Sequence, residues 1–420
     1  MGLITPLGKG VEENWENMKA MKTGIAHYPQ DNVPEFLQYM GKVGELDTAG
    51  SFPHKLSGQM KFLNRGSLLG LVAAREALYG SQIILTDVPP SRRALYIASG
   101  DTTQVGYDFL YPSIKDGTHG KWREMDFEQL NLSTLDKVNP FFLLQSINNN
   151  LFSFLSAFLE FMGSNTSLAS HSPCGGNALE LACRSIRQGK ADVAMAVGCG
   201  NWITEIPLYE MDELGILSQC RNGIRSFRPF DRKRDGFIPG EGGAAIFLEA
   251  SEIAQHRGAN ILAKVKGFGN GIEFSHGRGL SVPGKVTTRA ILSAMADAGS
   301  DLTDLAFICS HGSGSQKGDR SEMRSVSEIL KTDNADLPIC GMKSYTGHLG
   351  AASDIAEVIF CIKAITNKIL PATLNFTETE KEFADLRISG AHQRTEKDHF
   401  LSVSYGFCGQ SSSVVVHVGR

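Results

Sequence analysis

The stretch Thr166–Val197, which reads TSLASHSPCGGNALELACRSIRQGKADVAMAV, predicts a strand, a turn, a helix and a second strand in direct succession. The first strand ends at Ser170, and the turn after it contains a proline and two adjacent glycines. Asn177–Gln188 places apolar residues on one face of a helix, and Ala191–Val197 is a second, mostly apolar strand. Because parallel strands are joined by right-handed crossovers, this order predicts a βαβ unit in a buried sheet.

Outward from this unit, the chain alternates strands and helices in both directions. The predicted strands are Arg93–Ser99, Gly243–Leu248, Lys264–Phe268, Leu305–Ser310, Leu337–Cys340, Leu401–Ser404 and Ser413–Val418. The predicted helices are Lys61–Tyr79, Val286–Ala298, Ser321–Leu330 and Asp354–Thr366, while Thr102–Pro140 reads as surface loops and short helices. The alternation predicts an α/β protein whose two related halves form one unit, because no proline- or serine-rich linker separates them.

Length and composition exclude several classes of protein. The 420 residues are 42% hydrophobic and 20% charged, which is typical of a globular chain and excludes a disordered or coiled-coil protein. The 41 basic and 45 acidic residues give a net charge of −4, so no nucleic-acid partner is expected from bulk electrostatics. The most apolar segment, Phe141–Met162, is interrupted by polar residues such as Gln145 and Glu160, and predicts a buried helix or an interface helix and no membrane span.

The pattern of cysteines indicates the environment of the protein. The eight cysteines contain no CxxC pair and no regular spacing. This argues against a zinc site and a disulfide framework, so we expect no metal and a reducing compartment. The opening residues, Met1–Pro6, lack the basic and apolar regions of a secretory signal. The expected location is therefore cytoplasmic.

Cys174 is the first candidate for chemistry. It lies on the turn after a predicted strand, at the start of a predicted helix. A helix N-terminus presents unpaired N–H groups and partial positive charge, which favour a thiolate. The adjacent Gly175 and Gly176 allow a substrate to approach the backbone closely. A buried structural cysteine is the alternative, and position alone favours that alternative.

Two histidines are the next candidates. His311 ends an apolar strand and opens a run of small residues, and His348 follows Lys343 by five residues with a glycine between them. Each histidine taken alone could equally be a core residue with satisfied hydrogen bonds. A thiol and two histidine loops, each of them at a strand end, together favour a catalytic site.

Two glycine-rich segments carry weaker signals. Phe227–Gly243 is dense in charges and glycines, and its simplest interpretation is an exposed loop with salt bridges. Gly267–Gly271 reads GFGNG, but no helix follows it, so we do not interpret it as a dinucleotide-binding motif.

In the order and spacing of these motifs, the chain resembles the β-ketoacyl–acyl-carrier-protein synthases of the elongating type, in the thiolase-fold superfamily. The resemblance covers nearly the whole chain, through Gly2–Gly8, the Cys174 turn with Gly189–Val193, Arg228–Gly243, His311 and Gly312 with Gly318, Asp319 and Glu322, Lys343–His348, Glu357, and Gly406 with Phe407. Initiating relatives replace one histidine by asparagine, and thiolases use a second cysteine. Here His311 and Lys343 match the elongating pattern.

The resemblance implies a fold of five layers, α-β-α-β-α, built from two thiolase-like halves. Residues 1–250 would carry the nucleophile, and residues 251–420 would carry the two histidine loops. Cys174 would receive an acyl group, and His311 and His348 would stabilise the enolate formed when malonyl–carrier protein loses carbon dioxide. Lys343 and Glu357 would form a supporting ion pair that orders the site and tunes His311.

The resemblance also implies residues that bind the acyl group. The backbone N–H groups of Cys174 and Phe407 would form the oxyanion hole. Phe237 and Phe407 would gate the acyl pocket. Cys408 stands where the family usually has glycine, and we expect a half-buried thiol that stiffens the Phe407 loop and narrows the pocket. A second catalytic cysteine, as in thiolases, is the less favoured alternative for it.

The implied partners follow from the same resemblance. An acidic acyl carrier protein would supply the phosphopantetheine arm, with no tightly bound cofactor in the chain itself. Lys61, Arg65, Arg221 and Arg225 are candidates for a basic docking patch, although ordinary solvated charge is the simpler interpretation of each. We also expect a dimer, either of two copies or with a ketosynthase paralogue.

The sequence departs from the family pattern in four places. The strand that normally precedes the opening motif is absent, so either the chain is truncated or an edge strand is missing. The nucleophile turn reads Ser172–Gly176, SPCGG, where Thr-Ala-Cys is usual; the first histidine loop reads HGSGS; and the last loop carries Cys408 and Ser411. The alternatives to a condensing enzyme are a partner subunit of the chain-length-factor type and a thiolase-like acyltransferase. The retained Cys174, His311, His348 and Lys343 favour the condensing enzyme.

Overall fold

The computed structural model describes residues 1–31, 33–46, 48, 53–99, 109–142, 150–169, 172–275, 282–333 and 335–419. Parts of three predictions lie outside the described residues, namely residues 102–108, Gln145, and the end of the first strand and start of the turn at Ser170 and His171. Among the described helices, none combines the length and the apolar character needed to cross a membrane.

The elements of the described residues follow in chain order. The strands are β1 (Gly2–Thr5), β2 (Gly8–Lys9), β3 (Ile25–His27), β4 (Tyr39–Gly41), β5 (Arg93–Ser99), β6 (Asn165–Leu168), β7 (Val193–Asn201), β8 (Glu241–Glu249), β9 (Lys264–Ile272), β10 (Leu305–Cys309), β11 (Ile339–Cys340), β12 (Ile369–Leu370), β13 (Gln393–Arg394), β14 (His399–Tyr405) and β15 (Gln410–His417). The α-helices are α1 (Val11–Lys19), α2 (His54–Ser57), α3 (Arg65–Ser81), α4 (Tyr111–Gly117), α5 (Phe127–Lys137), α6 (Asn150–Leu159), α7 (Cys174–Arg187), α8 (Glu205–Glu213), α9 (Ser251–His256), α10 (Thr288–Ala298), α11 (Gln316–Thr332), α12 (Lys343–Thr346) and α13 (Ala352–Thr366).

Two large sheets repeat one topology. The first sheet has the order β2-β1-β8-β7-β5-β6, and the second has the order β11-β10-β14-β15-β9. Without β2, each sheet has five strands, which can be counted along its own half of the chain. In both sheets the neighbouring strands then follow the order third, second, fourth, fifth, first. In both sheets the third, second and fourth strands are parallel and the other two pair antiparallel. The two predicted related halves are therefore confirmed as a structural repeat.

Helices cover both sheets and fill the space between them, which gives the predicted five layers. Helix α3 packs on the outer face of the first sheet, against β1, β7 and β8. Helices α7 and α13 pack against each other and contact strands of both sheets. Helix α10 packs on the outer face of the second sheet, against β9 and β15, and apolar residues of α11 join the same cluster. All the strands of the first large sheet come from residues 2–249 and all those of the second from residues 264–417, while the boundary near residue 250 stays a prediction.

Most predicted elements occur within a few residues of their expected bounds, and β5 matches its predicted range. The predicted helix at Lys61–Tyr79 begins later, at Arg65, because the Asn64 side chain accepts a hydrogen bond from the N–H of Ser67 and caps that helix. Residues Gly2–Thr5 of the opening motif themselves form β1, which pairs antiparallel with both β2 and β8.

The interpretation of Phe227–Gly243 as an exposed loop is wrong. Phe227, Phe230, Asp231 and Arg234 are all buried. The Asp231 carboxylate accepts a hydrogen bond from the N–H of Thr377, and the Arg234 guanidinium donates to the carbonyl oxygen of Asp231. The charges of Asp231 and Arg234 are therefore paired inside the protein, as buried charges require, while Arg232 and Lys233 are exposed. This segment ends at β8 and brings Phe237 into the site described next.

Candidate active site

A cavity of about 350 Å³ lies at the junction of the two halves. Its lining includes Ser172 and Phe237 from the first half and His311, His348 and Phe407 from the second. Five loops that follow or join strands and helices of the central layers thus converge on one space. Both predicted histidines and both predicted gating phenylalanines are among the lining residues.

His311 is positioned by the loop that follows β10. The N–H groups of His311 and Gly312 donate to the two carboxylate oxygens of Glu322 on α11, at 2.7 and 2.9 Å. Gly312 has a φ of 53°, a left-handed conformation that favours glycine and turns the chain directly after the histidine. Burial raises the pKa of Glu322 to about 8. The loop is therefore fixed by its backbone, and the imidazole is left to face the cavity.

His348 is positioned by the turn between α12 and α13. Its ring stacks on Trp202, with ring centroids 4.6 Å apart, and contacts Phe237 with centroids 5.0 Å apart. Its Nδ1 accepts a hydrogen bond from the N–H of Gly350 at 3.2 Å. Because Nδ1 accepts, this bond assigns the proton of the neutral imidazole to Nε2, which is therefore a hydrogen-bond donor.

The two imidazoles lie close enough to act on one oxygen atom. Their ring centroids are 5.3 Å apart and the rings meet edge to face. Burial, followed by the positive charge of Lys343, lowers the pKa of His311 well below its ordinary value. His311 is therefore neutral at physiological pH. Its Nδ1 is buried and has no hydrogen-bond partner among the described residues.

Lys343 and Glu357 lie behind His311 as a buried ion pair. The Nζ of Lys343 is 2.8 and 3.0 Å from the two carboxylate oxygens of Glu357, and 2.8 Å from the carbonyl oxygen of His311, to which it also donates. Burial raises the pKa of Glu357, and the charge of Lys343 opposes that rise. The resemblance to the family implied this ion pair, and the two side chains form it.

Cys174 does not line the cavity, although the sequence predicted its thiol there. Helix α7 begins at Cys174, and the side chain packs in an apolar cluster that includes Ala352 and Ile355 of α13. The turn before the helix includes Ser172 and the N-cap residue Pro173, whose backbone is not helical. Ser172, two residues earlier, is the member of this turn that lines the cavity.

The helix N-terminus behind Cys174 is also already engaged. The N–H groups of Gly175 and Gly176 donate to one carboxylate oxygen of Asp354, at 3.0 and 3.3 Å. Unpaired N–H groups at this position were expected to stabilise a thiolate. Because Asp354 uses them, these two N–H groups are not available to a Cys174 thiolate, and the catalytic role of Cys174 stays a prediction.

Phe407 and Cys408 occupy the turn between β14 and β15 but have different surroundings. Phe407 lines the cavity, and its predicted role as an oxyanion donor stays a prediction. Cys408 is exposed and lies outside the lining residues. The prediction that its thiol is half-buried and narrows the pocket is therefore wrong, because the side chain at the tip of this turn points to solvent. The same position argues against a second catalytic cysteine.

Arg65 does not belong to the predicted docking patch, because its guanidinium is bound inside the protein. Its guanidinium donates to both carboxylate oxygens of the buried Glu241, at 2.8 and 3.0 Å, and to the carbonyl oxygens of Val43 and Gly44. An arginine held in this way ties α3 to β8. Lys61, Arg221 and Arg225 are exposed, and their role in docking stays a prediction.

Sequence reasoning missed three residues of the site, Ser172, Trp202 and Asp354. Ser172 was visible only as a departure from the family turn, two positions before the expected nucleophile. Trp202 directly follows the buried strand β7. Site residues often follow buried strands, so this position could have indicated Trp202 from the sequence. Nothing in the sequence around Asp354 indicated that its carboxylate would reach the N-terminus of α7.

Comparison with families of known proteins gives two matches that together span most of the chain. Residues 1–254 match the model described as "Beta-ketoacyl synthase, N-terminal domain", and residues 262–377 match "Beta-ketoacyl synthase, C-terminal domain". A curated relative, 3-oxoacyl-[acyl-carrier-protein] synthase 2 of Staphylococcus aureus, is 27% identical over 416 residues, which covers 99% of this chain and 96% of the relative.

Solved structures share the fold over the whole chain. A type II PKS acyl-carrier protein in complex with its ketosynthase bound to the hexaketide gives a TM-score of 0.84 at 22% identity, covering 100% of this chain and 98% of the other. The ishigamide ketosynthase/chain length factor gives a TM-score of 0.84 at 21% identity, with the same coverage. A β-ketoacyl synthase from Burkholderia phymatum gives 0.81 at 23% identity, again with 100% and 98% coverage.

Proposed function

Because the chain belongs to the β-ketoacyl synthase family, we propose that it joins an acyl group to malonyl–acyl carrier protein by decarboxylative Claisen condensation. The product is a β-ketoacyl thioester two carbons longer, in fatty-acid or polyketide-type biosynthesis. The chain is thus a carbon–carbon condensing acyltransferase.

One observation carries this proposal, namely the pair of neutral imidazoles 5.3 Å apart in the wall of one cavity. When a malonyl thioester loses carbon dioxide, negative charge develops on the thioester oxygen. Hydrogen-bond donors aimed at that oxygen stabilise the enolate more than the substrate, and one such donor contributes about 2.7–4 kcal/mol. His348 supplies one donor through Nε2, and the imidazole of His311 supplies the second donor.

Lys343 and Glu357 support this pair without reaching the substrate. The ammonium group holds the backbone of His311 through the carbonyl oxygen, and its positive charge disfavours protonation of the imidazole. A neutral His311 can donate or accept a proton, whereas a charged one could only donate. We therefore assign Lys343 and Glu357 as positioning residues.

The substrates reach the cavity on a carrier protein. We propose that an acyl carrier protein supplies the phosphopantetheine arm, and that the chain itself holds no tightly bound cofactor. Lys61, Arg221 and Arg225 are exposed and remain candidates to meet an acidic carrier surface. The related solved structures with a carrier protein and with a chain length factor support a dimeric ketosynthase, with itself or with a paralogue.

A cytoplasmic location is also proposed. The eight cysteines form no disulfide, and seven of them are buried. Buried thiols without disulfides are typical of proteins that work in reducing compartments.

A second candidate function is that of a partner subunit that shapes the pocket of a paralogue without condensing. The observation that favours it is the cavity wall, which contains the hydroxyl of Ser172 and, among the described lining residues, no cysteine. The retained His311, His348 and Lys343 favour the condensing enzyme over this alternative.

The proposal is tested by adding malonyl– and acyl–carrier protein to the purified chain and measuring carbon dioxide release and the two-carbon-longer product by mass spectrometry. We expect His348→Ala to lower the decarboxylation rate by roughly 10²–10³-fold, because it removes one donor to the enolate oxygen. His256→Ala, at an exposed position at the end of α9, is the matched control and should retain the rate.

Two other results would change the conclusion. Condensation that occurs only when a paralogous ketosynthase is added would favour the partner-subunit function. A decarboxylation rate in His348→Ala equal to that of the wild type would contradict the proposed role of the histidine pair.

A further inference from the structure

We propose that Ser172, and not Cys174, is the residue that accepts the acyl group, so that the intermediate of this protein is an oxygen ester. The proposal rests on the proposed condensing function and names the residue that carries its first half-reaction.

The first support is the position of Ser172. Ser172 is 3% exposed, and it lines the cavity that His311, His348 and Phe407 also line. A side chain at this point can contact an acyl thioester held between the phenylalanine gate and the two imidazoles. Cys174 is equally buried but faces an apolar cluster, where a thioester carbonyl has no access through the described cavity.

The second support is the unsatisfied hydroxyl. The Oγ of Ser172 is buried and has no hydrogen-bond partner among the described residues. Buried polar atoms are normally hydrogen-bonded, and an exception in a cavity wall indicates a group whose partner arrives with a ligand. The carbonyl of an incoming thioester, or a water that it displaces, would satisfy this hydroxyl.

The third support is the way the surrounding backbone is fixed. A Cβ at Gly406 would lie 2.1 Å from the carbonyl oxygen of Ser172, so the β14–β15 turn packs directly on the Ser172 peptide. The adjacent Phe407 lines the same cavity. The serine is therefore held against the turn that the family pattern associates with the oxyanion hole.

A base for the hydroxyl is available in the same wall. The neutral imidazole of His311, whose Nδ1 has no hydrogen-bond partner among the described residues, can accept the hydroxyl proton as Oγ attacks the carbonyl carbon of the acyl thioester. The carbon–sulfur bond then breaks, and the pantetheine sulfur leaves as a thiol with the proton returned by the imidazolium. In the second half-reaction the enolate carbon attacks the ester carbonyl and the carbon–oxygen bond to Ser172 breaks. The Ser172 oxygen leaves as an alkoxide and takes up one proton from water.

The chemistry of the bond distinguishes the two residues. Neutral hydroxylamine cleaves thioesters rapidly and leaves oxygen esters intact. We would incubate the purified chain with acetyl-, hexanoyl- and octanoyl-N-acetylcysteamine, map the modified peptide by mass spectrometry, and repeat the mapping after neutral hydroxylamine treatment. We expect an acyl adduct on Ser172 that survives the treatment.

Four variants sharpen the assignment. Ser172→Ala should lower the amount of acyl adduct at least tenfold, and Cys174→Ala should leave that amount unchanged. Ser172→Cys should form an adduct that neutral hydroxylamine removes, which also shows that the altered site is folded. Ser413→Ala is the matched control, because Ser413 has a buried hydroxyl without a partner among the described residues but lies outside the cavity lining.

The proposal is overturned by a hydroxylamine-labile adduct that disappears in Cys174→Ala, or by the absence of any adduct on the wild type at all three chain lengths. Failure of the proposed function is a separate result. It would appear as an absence of malonyl decarboxylation in the wild type and in Ser172→Cys alike, because that step requires the two imidazoles and not the acylated residue.

Discussion

Lys343 illustrates how a buried charge decides the properties of neighbouring groups. Its ammonium group contacts one carboxylate and one carbonyl oxygen, and both residues of the ion pair are at most 4% exposed in their side chains. Breaking a buried pair leaves an uncompensated charge and costs about 3–5 kcal/mol, whereas replacing both partners by apolar groups is often neutral. The pair therefore contributes to the site through His311 more than through stability.

We predict that Lys343→Met lowers the free energy of unfolding by about 3–5 kcal/mol, because Glu357 then remains buried without its partner. The double variant Lys343→Met with Glu357→Leu should recover most of that loss in urea unfolding. Its decarboxylation rate should stay low, because the His311 carbonyl still lacks its donor. Full recovery of the rate in the double variant would contradict the positioning role.

Strand β9 shows why a glycine pattern can mislead at the level of secondary structure. Gly267, Gly269 and Gly271 alternate along the strand and face α10, where a Cβ on Gly269 would lie 2.1 Å from the carbonyl oxygen of Ala290. In a strand, residues two apart lie on one face, so these glycines let the helix approach the sheet. The GFGNG segment therefore lies within a strand and is not a phosphate-binding loop.

We predict that Gly269→Ala destabilises the protein by about 1–3 kcal/mol in urea unfolding, since the added methyl group must displace α10 from the sheet. Gly284→Ala is the control, because a Cβ there has no neighbour within 4 Å. Alanine also stiffens the unfolded chain at both positions, so the difference between the two variants measures the packing itself. Equal stability of the two would show that α10 does not rest on this glycine face.

The two halves of the molecule share one core. The largest apolar cluster contains Leu3 and Ala94 of the first sheet together with Phe307 and Phe400 of the second. Helix α13 belongs to the second half of the sequence but packs against β7 and β8 of the first. The repeated topology therefore does not make two independent bodies, because each sheet buries its inner face through helices that both halves provide.

We predict a single cooperative transition for the full chain, with circular dichroism and tryptophan fluorescence coincident in urea. A fragment of residues 1–250 should bind a hydrophobic dye and unfold without a cooperative transition, because α13 is absent and the inner face of its sheet is exposed. A fragment with a sharp transition of its own would contradict a shared core.

The sequence alone determined the order of strands and helices, the two related halves and the two histidine loops, while Lys343 and Glu357 were expected from the resemblance to the family. These features depend on local apolar periodicity and on motifs in which neighbouring residues act together, and both are present in the chain before it folds. The tertiary structure alone decided the direction of particular side chains. Ser172 faces the cavity and Cys174 does not, Cys408 points to solvent, and Arg65 turns inward to Glu241. Each direction is fixed by a contact with a residue distant in sequence, such as Gly406 or Asp354, and no local pattern contains that information.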